Sequence, residues 1–415
     1  MVSREFAAAA RMTPKDFTRR RSLPLPELVT FLLNLRKGAN QDELDRFFEV
    51  VSGQPVIQGI TQSALCQARH KLKPGAFLTL NNKLLEGFYR HFAARRWHGL
   101  RLLAVDGSTA RLPRTADVEA TFGPAPEGSA VPTARFSRLY DVLNHLVIEA
   151  DVEPLSVGER VLAGEHLATT GEKDLLLYDR GYPAFWLFVL HQREQRHFCA
   201  RLPANFCAAS TAFARGKERS AVVTMRPGHD AREQCKMYGL PTDAIQVRLI
   251  KVKLGSGDTE ILASSLLDEA IYPNAAFKHL YHLRWGVEEE YKTEKCRVEI
   301  ENFSGLTARS VFQDIYAKVF MVNLTAILAW VAQAIADRLY QGRKHRYQVN
   351  FANTLSKMKD NVVRLFLDIW PPTLLGQLLS AMALSVEAVR PDRSYPRRIK
   401  PSKVQGFFPN FKRTR

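Results

Sequence analysis

The stretch LRLLAVDGST, residues 100–109, marks the point where the sequence changes from helical to strand patterning. Leu102 to Val105 form an apolar run that is typical of a strand buried on both faces of a sheet. The run ends at Asp106, and Gly107 after it would let a backbone or a substrate approach closely. The pattern indicates either a functional carboxylate at a strand end or an ordinary Asp-Gly turn.

A second stretch, DLLLYDRGY at residues 174–182, repeats this arrangement. Its buried strand ends at Asp179, which is followed by Arg180 and Gly181. Around the two stretches, strand-like segments alternate with helical ones, including a long strand or hairpin arm from Tyr140. This alternation predicts an α/β core built around a mixed sheet.

The alternation stops between residues 205 and 268. Three strand-like segments there predict a β-rich insertion: SAVVTMRP, IQVRLIKVKLG and TEILASSLLD. Helical patterning resumes at Asn274. The longest apolar run, which begins at Val319, contains Asn323 and Gln333, so it indicates a buried helix rather than a membrane span.

Residues 24–97 carry helical segments separated by turn signals, with caps at Asn40 and Thr61 and a stop at Gly53. The segment TQSALCQARHKLKPG, which begins at Thr61, is a candidate recognition helix. It would offer five polar side chains to DNA: Gln62, Ser63, Gln67, Arg69 and Lys71. A purely structural helical bundle is the alternative.

The net charge of +17 lies at the two ends of the chain. Residues 1–100 hold 16 Lys/Arg against 8 Asp/Glu, and residues 341–415 hold 15 against 4. Basic ends around a near-neutral middle suit a protein that binds a polyanion such as DNA, although a basic surface also serves solubility. Residues 390–415, with nine Lys/Arg and four prolines, predict an extended basic arm.

Cysteine usage and the N-terminal residues bear on the compartment. The five cysteines form no C-x-x-C pair, which argues against a disulfide scaffold and against a zinc site. The first residues mix charged side chains among alanines and contain no signal-peptide core. Both features predict a cytoplasmic protein that does not enter a membrane.

Two acids at strand ends prompt a search for a third, because a two-metal site needs carboxylates converging on ions about 4 Å apart. The stretch YHLRWGVEEEYKTEK, residues 281–295, supplies one. At ~100° per residue, four of its side chains fall within about 60° on a helix: Tyr281, Arg284, Glu288 and Lys295. An apolar stripe would anchor the helix beside them: Leu280, Leu283 and Val287. An exposed helix with a weak Arg284–Glu288 pair is the alternative.

The spacing Y-x2-R-x3-E-x6-K resembles the signature of DDE transposases of the insertion-sequence-four family. The segments VDGSTARLP and DRGYPAF are similar to the two aspartate blocks of that family. The resemblance extends from about residue 20 to residue 370 and includes YQVNFANT near Tyr347. All three acids and all four signature positions match.

This resemblance implies a chemistry and a set of site residues. Asp106, Asp179 and Glu288 would hold two Mg²⁺ ions, which Mn²⁺ could replace. Four residues would contact DNA: Tyr281, Arg284, Lys295 and Arg180. No covalent enzyme intermediate is needed, and the sequence offers no persuasive Ser/His/Asp or Cys/His set.

The resemblance also implies an RNase H-like core interrupted by the β-rich insertion. The expected layout is a helical DNA-binding domain, a first core part, the insertion, a second core part, and a helical and basic C-terminal region. Their respective bounds are residues 1–98, 99–204, 205–268, 269–340 and 341–415.

The expected function is cut-and-paste DNA transposition. The protein would bind the terminal inverted repeats of its own element, cleave there and join the freed ends to target DNA. A homodimer would hold two ends together in the bacterial cytoplasm, at the nucleoid when bound to DNA. The alternatives are an RNase H-fold nuclease that does not join strands and a non-catalytic, transposase-derived DNA-binding protein.

Overall fold

An eight-stranded sheet and fifteen helices lie in the described part of the computed structural model, which divides into two units. The structure describes residues 3–19, 23–34, 38–56, 59–253, 257–293, 298–367 and 373–390, with only the backbone described for 285–293. The first unit comprises Met1–Phe92, Ala110–Thr133 and Thr293–Arg415. The second comprises Ala93–Thr109 and Ala134–Lys292.

The elements follow in chain order. The first half contains α1 (Arg4–Ala10), α2 (Leu25–Leu33), α3 (Asn40–Ser52), α4 (Gln62–Arg69), α5 (Gly75–His91), β1 (Arg101–Arg111), α6 (Ala116–Phe122), β2 (Thr133–Asp141), β3 (Leu146–Pro154), α7 (Glu159–Glu165), β4 (Asp174–Tyr178), α8 (Phe185–Arg193) and β5 (His197–Leu202). The second half contains α9 (Ala208–Arg215), β6 (Ser220–Met225), α10 (His229–Met237), β7 (Ile245–Lys253), β8 (Thr259–Ser264), α11 (Asn274–Thr293), α12 (Ala308–Leu339), β9 (Arg346–Val349), α13 (Phe351–Met358), α14 (Asn361–Phe366), α15 (Leu374–Ala383) and β10 (Val386–Val389).

The large sheet of the second unit has the strand order β3-β2-β1-β4-β5-β8-β7-β6. Strands β1, β4 and β5 are parallel, whereas β2 pairs antiparallel with β3 and β8 pairs antiparallel with β5 and β7. Helix α8 contributes Leu187 and Phe188 to the apolar core that covers this sheet. The predicted α/β architecture with a mixed sheet is therefore confirmed.

Strand β1 runs further than the sequence predicts. The apolar run was expected to end at Asp106, but the extended backbone continues to Arg111. The pairing of β1 with β4 extends only from Arg101 to Ala104, and β1 has β2 as its neighbour on the other side. Asp106 thus lies inside a strand, beyond its pairing with β4, whereas Asp179 directly follows β4.

All three strand-like segments between residues 205 and 268 form strands, namely β6, β7 and β8. They continue the main sheet, because β8 pairs with β5. The pattern did not predict two short helices of this region: α9 lies between β5 and β6 in sequence, and α10 lies between β6 and β7. Each spans only eight or nine residues, and neither has a regular apolar stripe long enough to distinguish it from a loop.

The first unit is built around α12, whose 32 residues pack against α2, α5, α13 and α15. Its Trp330 ring lies 5.1 Å from that of Phe92. Helix α12 is long and apolar enough to cross a membrane by length and composition, but 56% of its most apolar window is buried inside the protein. That burial agrees with the predicted core helix.

The N-terminal helices match the predicted segments, with two local differences. Gly53 ends α3 in the left-handed conformation, as expected, but the N-cap is Ala39 rather than Asn40. The Asn40 side chain is turned inward instead, where its Nδ2 donates to the carbonyl oxygen of Ser304. Helix α4 begins at the expected Thr61 cap and ends at Arg69, well before Pro74.

Helix α4 exposes Gln62, Ser63 and Gln67, but it buries Arg69. The Arg69 guanidinium donates to Asp314 Oδ1 at 3.0 Å and to three further oxygens of the first unit: Gln313 Oε1, Ser304 Oγ and the Ser310 carbonyl. The prediction that Arg69 faces DNA is therefore wrong, because α12 supplies a buried carboxylate that the guanidinium pairs with.

Candidate active site

Asp106 and Asp179 come two residues after the paired part of two neighbouring parallel strands. Arg101 pairs with Asp174 and Ala104 with Leu177, an offset of 73 residues, and the pairing ends there. Continued by two residues, the same offset would make Asp106 level with Asp179. Ligands of α/β proteins bind beyond the carboxyl ends of such strands. That the two acids share one site stays a prediction.

Asp106 is half-buried, and its Oδ1 accepts a hydrogen bond from the Gly107 N–H at 3.1 Å. The backbone at Gly107 is closely packed. A Cβ there would lie 3.2 Å from the Tyr182 hydroxyl and 3.3 Å from the Glu159 side chain. Because Gly107 has no side chain, Tyr182 and Glu159 can approach its backbone closely, as the sequence predicts.

Asp179 has an unusual environment for a carboxylate. Its Oδ1 is buried and accepts no hydrogen bond from any residue that the structure describes. Two guanidinium groups flank that oxygen, with Arg284 Nη2 at 3.6 Å and Arg201 Nη1 at 3.9 Å. The remainder of the side chain is accessible, with 37% of its area exposed. A negatively charged oxygen near cations, but without a donor at bonding distance, is suited to accept a further ligand.

Helix α11 lies beside Asp179 and contributes Arg284 to its surroundings. Its buried face carries Phe277, Leu280, Tyr281 and Arg284. The helix continues to Thr293, so residue 288 follows Arg284 on the same face at the i, i+4 spacing. The side chain of Glu288 lies outside the described residues, and so does all of Lys295.

Tyr281 and Arg284 are more deeply buried than side chains that contact DNA usually are. Both side chains lie inside the second unit, with 5% and 3% exposure, and the Arg284 guanidinium lies 5.9 Å from the Tyr281 ring. Burial, reinforced by the charge of Glu260, raises the pKa of Tyr281 to about 12, so the hydroxyl is neutral at physiological pH. A contact of either residue with DNA stays a prediction. Arg180, in contrast, is exposed beside Asp179.

Sequence reasoning missed an ion pair of which one member, Arg201, lies 3.9 Å from Asp179. Arg201 comes from β5 and Glu260 from β8, and their Nη2 and Oε1 atoms are 2.5 Å apart. Glu260 is only 8% exposed, and its Oε2 has no hydrogen-bond partner among the described residues. The sequence did contain a signal for both residues. Arg201 in HFCARLP and Glu260 in TEILASS are each the lone charge of an otherwise apolar strand, and a buried charge usually has a partner.

The acids fit a hard divalent cation. Asp106 and Asp179 offer carboxylate oxygens, which Mg²⁺ and Mn²⁺ prefer to nitrogen or sulfur ligands. The buried Oδ1 of Asp179 has no hydrogen-bond donor among the described residues, and a divalent cation is a group that such an oxygen can bind.

A second group of metal-ligating side chains lies on β3 and after α7. His166 Nδ1 is 2.8 Å from Glu149 Oε2 and 3.4 Å from Asp151 Oδ2, and its Nε2 is 2.9 Å from Ser137 Oγ. His166 is fully buried. Burial raises the pKa of Asp151 to about 6. An imidazole in the donor set suits Mg²⁺ less well than an all-oxygen set.

Comparison with known proteins identifies the family. The sequence model of the family described as "Transposase DDE domain" matches residues 97–324, which is more than half of the chain. The chain is 25% identical over 335 residues to the transposase InsG for insertion sequence element IS4 of Escherichia coli K12, a match that covers 78% of this chain and 73% of InsG.

Two further likenesses are weaker. The putative transposase InsZ of the same organism is 28% identical over 194 residues, which span 45% of this chain and 63% of InsZ. The structure of a piggyBac transposase synaptic complex with hairpin DNA superposes with a TM-score of 0.45 at 12% identity, covering 94% and 82% of the two chains. That superposition is too weak to support an inference. The family match over residues 97–324 and the likeness to InsG confirm the resemblance seen in the sequence: the chain belongs to the DDE transposase family and is of the IS4 type.

Proposed function

We propose that this chain cleaves DNA at the terminal inverted repeats of its own element and joins the freed ends to target DNA. The observation that carries the proposal is that Asp106 and Asp179 follow the paired segments of the parallel strands β1 and β4, with Arg284 of α11 3.6 Å from Asp179. Residue 288 follows Arg284 on α11 at the i, i+4 spacing, and we propose Glu288 as the third acid.

The fold proposed for this site is an RNase H-like core. The partial order β3-β2-β1-β4-β5, with β1, β4 and β5 parallel, supports it. Strands β6 to β8 lie between β5 and α11 in sequence, where the insertion at residues 205–268 is expected. Residues 99–204 and 269–340 would then be the two core parts, residues 1–98 the DNA-binding domain and 341–415 the basic C-terminal region.

Asp106, Asp179 and Glu288 would hold two Mg²⁺ ions, or Mn²⁺ in their place. Bound there, the ions would lower the pKa of an attacking water or align a 3′-hydroxyl, and would stabilise the leaving oxygen. The side chains have separate tasks. The carboxylates provide the negative charge, and Arg284 offsets part of it from the protein side at 3.6 Å. Exposed Arg180 can reach a phosphate beside the reacting bond.

The proposed partner is DNA, bound by the basic ends of the chain. The exposed Gln62, Ser63 and Gln67 of α4 are available to base edges. Tyr281, Arg284 and Lys295 are proposed to act at the transposon end, which for the two buried residues requires an opening of the site. A homodimer would hold two ends, in the bacterial cytoplasm.

The test is an assay with purified protein, a duplex carrying the element's end, and a supercoiled target plasmid. Mg²⁺-dependent cleavage at the end and transfer to the plasmid are expected, with scrambled duplex left intact. Asp106→Asn should bind the end normally and abolish cleavage, because metal ligation needs the carboxylate. Asp243→Asn, at an exposed acid of the same unit, is the matched control and should cleave normally.

Two outcomes would contradict parts of the proposal. Normal cleavage by Asp106→Asn would remove this acid from the site. Cleavage without transfer to the plasmid would favour a nuclease over a transposase.

A further inference from the structure

We propose that Glu260 is a positioning residue of this site. By pairing with Arg201 it holds that guanidinium away from Asp179, so that the Asp179 carboxylate stays open to a divalent cation. This inference rests on the proposed metal-binding role of Asp179.

The geometry of Arg201 is unequal toward its two acidic neighbours. Its Nη2 lies 2.5 Å from Glu260 Oε1, which is a short charge-assisted contact, whereas its Nη1 lies 3.9 Å from Asp179 Oδ1. A guanidinium hydrogen bond to a carboxylate normally spans about 2.7–2.9 Å. Arg201 is therefore closely ion-paired with Glu260 and only near Asp179, although the two acids compete for the same five donors.

Glu260 is held firmly enough to act in this way. Its side chain is only 7% exposed and comes from β8, an inner strand of the sheet next to the β5 strand of Arg201. A buried carboxylate is stable only with a cationic partner, so Glu260 and Arg201 depend on each other. Neither strand can shift without breaking the β5–β8 ladder, which runs from Cys199 to Leu202.

The charge balance around Asp179 explains why such a restraint is useful. Arg284 already lies 3.6 Å from Asp179 Oδ1. If Arg201 closed to bonding distance, its guanidinium would donate a hydrogen bond to this oxygen while Arg284 remained nearby. A cation would then have to displace a charge-assisted hydrogen bond before it could bind. With Glu260 in place, Arg201 makes its short ion pair with Glu260, and Asp179 Oδ1 accepts no hydrogen bond from the described residues.

The test measures Mn²⁺ affinity of the full-length protein by titration calorimetry, independently of catalysis. Glu260→Gln should weaken Mn²⁺ binding about tenfold, because Arg201 becomes free to bond Asp179. Arg201→Gln/Glu260→Gln should bind Mn²⁺ as Arg201→Gln does, since no guanidinium is then released. Glu269→Gln is the matched control: it removes another arginine-paired glutamate of the second unit, 3.5 Å from Arg248, and should leave Mn²⁺ affinity unchanged.

A second readout separates positioning from a general structural defect. In the cleavage assay, Glu260→Gln should need about ten times more Mg²⁺ for half-maximal rate and should approach the wild-type rate at saturating Mg²⁺. A variant that was merely misfolded would lose maximal rate instead. If Glu260→Gln does not fold, the neutral pair Arg201→Gln/Glu260→Gln replaces it, and Mn²⁺ affinity equal to Arg201→Gln is again required.

The same measurements separate a wrong assignment of Asp179 from a wrong assignment of Glu260. If Asp179→Asn binds Mn²⁺ as tightly as the wild type, the metal-binding role of Asp179 is wrong and the role of Glu260 is wrong with it. If Asp179→Asn loses Mn²⁺ binding but Glu260→Gln retains wild-type affinity, only the role of Glu260 is overturned. A double variant weaker than Arg201→Gln would likewise overturn it, because Glu260 would then act without Arg201.

Discussion

At the scale of single residues, the proposed site depends on how each carboxylate is surrounded rather than on its position alone. Asp106 accepts a backbone hydrogen bond, Asp179 lies between two guanidinium groups, and Glu260 is neutralised by Arg201. Three acids of the same unit thus have different surroundings, so substitutions at each of them should have different effects.

The three consecutive glutamates of α11 provide a direct test of register. If residue 288 shares the face of Arg284, Glu288→Ala should lower the rate of strand cleavage by several orders of magnitude while DNA binding is kept. Glu289→Ala and Glu290→Ala point elsewhere on the helix and should cleave at near wild-type rates. Cleavage retained by Glu288→Ala but lost in either neighbour would show that both the register and the third acid are wrong.

Asp151 gives a prediction on stability and pH. Burial, opposed in part by His166, raises the pKa of Asp151 from 3.8 to about 6 in the folded protein. The folded state therefore holds a proton that the unfolded chain releases, and this contribution is lost as pH rises from about 4 to 6. Asp151→Asn should raise the free energy of unfolding at pH 7.5 by about 1–2 kcal/mol after allowing for solvent screening, and with it the melting temperature, but have little effect at pH 4. An equal change at both pH values would contradict this account.

At the scale of elements, helix α4 presents two faces with different roles. One face is exposed and polar, and the other sends Arg69 into a buried network with Asp314 of α12. Arg69, which the sequence pattern predicts to face DNA, therefore anchors the helix within the first unit. Substitutions on the buried face should therefore change stability, whereas substitutions on the exposed face should change DNA binding.

Arg69→Ala should destabilise the protein by about 3–5 kcal/mol, because it leaves the Asp314 carboxylate buried without its cation. Gln67→Ala, on the exposed face of the same helix, should leave thermal stability nearly unchanged and weaken binding to end DNA. Thermal unfolding and fluorescence-anisotropy titrations measure the two effects. Normal stability of Arg69→Ala, or normal end binding by Gln67→Ala, would contradict the respective face assignment.

At the scale of the whole molecule, charge is distributed so that the two ends carry the positive excess and the middle is near neutral. The middle contains the acids of the proposed site, where accumulated positive charge would compete with a bound cation. The positive excess at the ends would supply affinity for phosphates.

Removal of residues 390–415 should weaken DNA binding without changing sequence preference. Of these, residues 391–415 lie outside the described structure, and the segment as a whole carries nine Lys/Arg against one Asp. Contacts to phosphates release counterions, so the truncated protein should show a less steep dependence of log affinity on log salt concentration. An unchanged slope would mean that this segment does not contact DNA.

The sequence by itself determined what depends on neighbours within a few residues. The apolar runs before Asp106 and Asp179 predicted β1 and β4, and the spacing of Tyr281 and Arg284 predicted one face of α11. Side chains return to the same face every two residues in a strand and every three to four residues in a helix. Both patterns are therefore visible in the sequence itself. The short helices α9 and α10 escaped because each is too brief for such a pattern to be repeated.

The tertiary structure alone decided which charges are paired. Arg69 meets Asp314 across 245 positions, and Arg201 meets Glu260 only because β5 and β8 are neighbours in the folded sheet. A lone arginine in a helix or strand pattern has the same appearance whether it faces DNA, solvent or a buried carboxylate. Its role is set by the electrostatic cost of burial, and that cost depends on a partner brought close by the fold rather than by the sequence.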